Sequence, residues 1–67
     1  MRIVVLMNDG NLYHIEPEDH DQFINDETGR YGAIPSFFPG FLMTENGQVA
    51  DEPTSLLGRD VMKVMYT

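Results

Sequence analysis

The residues Asn8-Asp9-Gly10 lie between two apolar runs, Ile3 to Met7 and Leu12 to Ile15, and nothing else in the chain restricts its fold as strongly. Asp-Gly in that setting is a strong short-range signal for a β-hairpin. Two registers compete. A two-residue Asp9-Gly10 turn would oppose Met7 to Leu12, Leu6 to Tyr13 and Ile3 to Glu16. A three-residue loop, a type I turn closed by a bulge with Gly10 in the left-handed region, would oppose Leu6 to Leu12, Val5 to Tyr13 and Ile3 to Ile15, with Arg2 facing Glu16. The second register sets apolar against apolar and opposite charge against opposite charge. Such pairs contribute roughly 0.2–1 kcal/mol each, which favours it. In either register Ile3 to Met7 is apolar on both faces, the pattern of a strand covered on both sides or interior to its sheet.

A chain of 67 residues makes one domain, 1–67, with little room for a core. It has no cysteine, so neither disulfides nor thiolate zinc sites can reinforce it. After the hairpin, Pro17 suits the first position of a helix and acids follow it, which predicts one short acidic helix over Glu18 to Asp26, pinned by Phe23 and Ile24, with Gly29 beyond it; an ordered acidic loop is the alternative. Phe38-Pro39-Gly40-Phe41 has the Pro-Gly pair of a type II turn. Phe41 to Thr44, a turn at Asn46-Gly47, and Gln48 to Ala50 read as a second, shorter hairpin. In the last stretch Leu57, Val61, Val64 and Met65 share a face at helical spacing. Val61 to Tyr66 also reads as a strand; helix is the preferred reading. The expected fold is therefore a small α+β domain: N-terminal hairpin, acidic helix, second hairpin, and C-terminal helix or strand.

Eleven acids against four bases give a net charge of −7. Phosphate neutralisation needs clusters of Lys and Arg, so direct binding to nucleic acid is disfavoured, and anionic membranes would repel the chain. A basic partner is the natural complement. No apolar stretch is long enough to span a bilayer and no targeting segment is visible, so the chain reads as cytoplasmic. In composition alone it is similar to many small acidic phage or mobile-element accessory proteins.

Glu16, Glu18, Asp19, Asp21, Asp26 and Glu27 form a block in a stretch, Ile3 to Gly29, that contains no Lys or Arg. Like charges at helical spacing repel, and a partner's cations would relieve them. The block could imitate the charge of a phosphate backbone; the plainer reading is a solvated face that keeps the chain soluble. Exposed ion pairs contribute little, so an apolar anchor is also expected, drawn from Phe37, Phe38 and Phe41. The same aromatics could equally supply the core. His14 and His20 lack the spacing of a zinc helix, and His14 is expected on the hairpin's exposed face, so no metal or other cofactor is expected. No nucleophile motif, P-loop or dinucleotide fingerprint is present, so the chain is not expected to be an enzyme. The expected function is an acidic inhibitor that occupies a basic, nucleic-acid-binding site on another protein. The alternatives are an assembly subunit forming a homo-oligomer and an antitoxin-like regulatory module.

Overall fold

A computed structural model describes residues 1–67 and shows a mostly antiparallel sheet with one short helix and a 3-10 turn. Five strands, β1 (Ile3–Met7), β2 (Leu12–Ile15), β5 (Phe37–Met43), β6 (Thr54–Leu57) and β7 (Val61–Tyr66), lie in the order β6-β5-β2-β1-β7. Two short strands, β3 (Ile24–Asn25) and β4 (Arg30–Tyr31), form a separate ribbon. No helix is long and apolar enough to cross a membrane.

The first hairpin takes the three-residue register. Ile3 faces Ile15, Val5 faces Tyr13 and Leu6 faces Leu12. The Gly10 amide donates to the Met7 carbonyl (2.9 Å), the Met7 amide donates to the Asn11 carbonyl (3.0 Å), and Gly10 has φ +90°. The Asn11 amide donates to Asp9 Oδ1 at 2.9 Å, so the loop carries its own brace. With β7 on its other side, β1 is interior to the sheet, as its apolar run requires.

Ile3, Val5, Met7, Tyr13, Ile15, Phe38 and Leu56 point inward, and Phe23 closes over them. Fully burying a side chain of this size contributes about 1.5–3 kcal/mol, so these few residues carry most of the fold. Val61 and Val64 pack against the same cluster.

Three expectations need correction. The acidic segment is a 3-10 helix over Pro17–Phe23, and Ile24 and Asn25 already belong to β3. Pro17 does start it, but Phe23 must turn into the core, and the chain extends directly after that anchor. Gly29, at φ +70°, serves the β3–β4 turn instead of a helix end. The Pro39-Gly40 pair is not a turn but the middle of β5. Pro39 falls in a position that makes no ladder bond to β6, and Gly40 has no room for a side chain: a Cβ there would lie 2.5 Å from Leu56 Cδ1 and 3.0 Å from Tyr13 Cβ. The short hairpin at the Asn46-Gly47 turn does form, with Val49 bridged to Met43, the Thr44 amide on the Gln48 carbonyl and the Ala50 amide on the Leu42 carbonyl (2.9 Å each), but the main partner of β5 is β6. Lastly, the preferred C-terminal helix does not form: the stretch is strand, 3-10 turn and strand, and β7 covers Val61–Tyr66 as the strand alternative had it.

Candidate functional site

Strand alternation sends the three candidate phenylalanines to different places. Phe37 and Phe41 lie on the outward face of β5, while Phe38, one position from Phe37, is fully buried and meets Phe23 edge-on with ring centroids 5.2 Å apart. Phe38 is therefore a core residue, with no surface to offer a partner. Phe37 is 68% exposed, the most of any aromatic in the chain, and Phe41 is half-buried.

The cross-strand register shows what surrounds them. Phe41 is paired with His14, His14 with Val4 and Val4 with Met65; Met43 is paired with Leu12 and Leu12 with Leu6. Paired residues share a face. The outward side of the sheet is thus largely apolar, broken by His14 on β2 and by Lys63 opposite Leu6 on β7, where an antiparallel sheet commonly shows more polar groups to water. Phe37 extends this face beside Leu57, its cross-strand partner, which is also exposed. Only Phe37 and Phe41 of this set were singled out in the sequence as partner contacts, and His14 as an exposed residue of the hairpin. The signal for the rest was the doubly apolar run of β1.

His14 is half-buried on that outward face, less open than expected, with Nε2 3.7 Å from Glu16 Oε2. Glu16 itself is half-buried. His20 is not an exposed member of the acidic segment: it is buried, and its Nε2 is 3.1 Å from the Ile15 carbonyl, so that nitrogen donates and pins the segment to the end of β2.

The remaining acids divide between two elements. Glu18, Asp19 and Asp21 are carried by the 3-10 helix. Asp26 and Glu27 are carried by the β3–β4 turn, braced by the Glu27 amide donating to Asn25 Oδ1 (2.9 Å) and the Arg30 amide to Thr28 Oγ1 (3.2 Å). All are exposed except Asp19, which is half-buried and accepts from Gln22 Nε2 at 3.0 Å. His14–Glu16 is the one side-chain ion pair in the molecule, so no carboxylate has a Lys or Arg partner within 4.0 Å. No group of three His, Asp or Glu side chains converges as metal ligands would.

The acidic arm, Glu16 to Tyr31, is joined to β5 by a short connection. The amides of Gly32 and Ala33 both donate to the Phe23 carbonyl (3.0 Å each), and the Ser36 carbonyl accepts the Gly58 amide (2.8 Å). The chain therefore passes from the acids to Phe37 through fixed backbone. Comparison with protein-family models, with curated proteins and with solved structures finds no match.

Proposed function

We propose that the protein is a non-enzymatic, acidic binding protein that occupies a basic, nucleic-acid-binding site on a target protein. One observation carries this reading: the eleven carboxylates are left without a single Lys or Arg partner in their own chain. Apart from Asp9, Glu16 and Asp19 these carboxylates have no side-chain partner in the fold, whereas a cationic surface would gain from meeting them. The exposed Phe37 and the half-buried Phe41 supply the apolar contact that ion pairs at a surface need.

The test is capture of partners from a cell lysate at low and high salt, with and without added duplex DNA. The expected partner is basic, leaves the protein as salt rises, and is displaced by the DNA. A partner that binds this protein and DNA together, with no loss of affinity for either, would overturn the reading. The outward apolar sheet face favours one rival, a subunit that assembles with copies of itself. Sedimentation separates the two: self-association through that face persists in high salt, whereas the inhibitor stays monomeric.

A further inference from the structure

The sheet has two edges, and they are treated differently. The β7 edge is guarded. It holds Lys63, an extra residue at Met62 breaks its register with β1, and Tyr66 is covered by Tyr31 with ring centroids 5.5 Å apart. Charges, bulges and covering groups are the usual protection of a strand edge. The β6 edge, Thr54–Leu57, has no charged residue, proline or bulge.

The backbone of β6 is also free. The Gly58 amide donates to the Ser36 carbonyl in the position that flanks a non-hydrogen-bonded pair, which makes Phe37–Leu57 and Pro39–Ser55 such pairs. The amides and carbonyls of Ser55 and Leu57 therefore point away from β5, and neither amide has a partner. A cleft of about 360 Å³ runs along this strand. Met7, Tyr13 and Leu56 give it an apolar lining, and Asp9 and Asp60 line it with carboxylates. Two more acids, Asp51 and Glu52, precede the strand.

We propose that this cleft binds an extended, basic peptide segment, which adds to β6 as a further strand. Its main chain bonds to Ser55 and Leu57, an apolar side chain rests against Met7 and Tyr13, and a Lys or Arg meets Asp9 and Asp60. The charge of the lining selects this occupant over a second copy of the chain, whose net charge of −7 would be brought against acids. The inference takes from the proposed function only the basic character of the partner; it does not need the acidic arm.

The test uses the full chain labelled with ¹⁵N and a blocked five-residue peptide of alternating valine and lysine. Titration should move the amide signals of Thr54 to Leu57, Asn8, Asp9 and Asp60. Hydrogen exchange at the Ser55 and Leu57 amides should slow by about tenfold or more at saturation. Asp60→Asn should weaken binding by about threefold or more, and a peptide with glutamate in place of lysine should not bind. A variant with Glu18→Gln, Asp19→Asn and Asp21→Asn should bind the peptide as before, even if it has lost a lysate partner. Shifts confined to Glu16 through Glu27, or equal binding of the glutamate peptide, would overturn the proposal. So would Ser55 and Leu57 protection that grows with protein concentration in the absence of peptide, since the edge would then take a second copy.

Discussion

The five-stranded sheet and the acidic arm are held by different means. Adjacent strands of the sheet share backbone ladders, with one bulge at Met62 between β1 and β7, and its inward side chains form one cluster. The arm has no ladder to the sheet. It is fixed by Phe23 against Phe38, by His20 on the Ile15 carbonyl, by the Phe23 carbonyl accepting two amides, and by Tyr31 against Tyr66. The difference teaches that structure and charge are separable in this molecule. Glu18, Asp21, Asp26 and Glu27 hold nothing in place through their side chains, and the residues that hold the arm are uncharged or aromatic.

Phe23→Ala offers the hardest test of that separation. It removes a fully buried ring and should cost about 3–5 kcal/mol. Small domains commonly hold only about 5–15 kcal/mol in total, so the urea midpoint should fall sharply and exchange at Ile24 and Asn25 should become fast. A change under about 1 kcal/mol would mean the arm is fastened by something other than this ring. His20→Ala comes next. It removes one of two bonds to the Ile15 carbonyl, which the ladder register also sets against the Ile3 amide, at a cost of about 0.5–1.5 kcal/mol in the same urea experiment. If His20→Ala proves neutral, the imidazole does not pin the arm.

Alkaline pH probes the aromatic contact between the regions. Partial burial, and then the neighbouring Tyr31, raise the Tyr66 phenol above its ordinary value of 10.0. The native state then holds this proton more tightly than the unfolded chain does. The associated stability is complete below about pH 10 and declines as pH rises through the interval between the unfolded and folded values. Tyr66→Phe should reduce that decline in a melting series from pH 8 to about 11; an unchanged series would show that the contact is not felt. The smallest effect on stability belongs to Glu18→Gln, Asp21→Asn and Glu27→Gln combined. It should stay within about 0.5 kcal/mol, although the same variant should lose a basic partner. A large loss of stability would tie these charges to the fold and end the separation.

How well each region could be read from the sequence follows from its physics. The first hairpin was legible down to its register, because Asn8-Asp9-Gly10 marks the loop and the rival register would set Ile3 against Glu16. The acidic arm was legible in its start at Pro17 and in its exposed charge. It was not legible in its end, because the pull of Phe23 into the core is a tertiary effect. The C-terminal strand was misread for a specific reason. Met7 faces Val61, Val5 faces Val64 and Ile3 faces Tyr66, with the register shifted beside Met7. The extra residue spaces Val61 and Val64 three apart, which is also the spacing of a helix face. Pro39-Gly40 misled in the same manner, since its strand role depends on how closely Leu56 and Tyr13 approach. Of the candidate site, the acids were visible as composition and Phe37 only as one of three aromatics of which any could have been exposed. The burial of Phe38 and the open edge of β6 needed the strand order.

The pairing of β1 with β7 also sets how the chain can reach this structure. Ile3 is registered against Tyr66, and Arg2 and Thr67 exchange backbone bonds of 2.7 and 2.9 Å. The strand with the densest apolar run thus receives its second neighbour from the far end of the sequence. Contacts that distant place folding in the slow regime of β-rich domains, milliseconds to seconds. Until β7 arrives, β1 presents an apolar strand with a bare edge, the kind of surface through which partly folded chains aggregate. Loss of the last six or seven residues would make that transient state permanent, so trimming at this end acts on the whole domain and not on one strand.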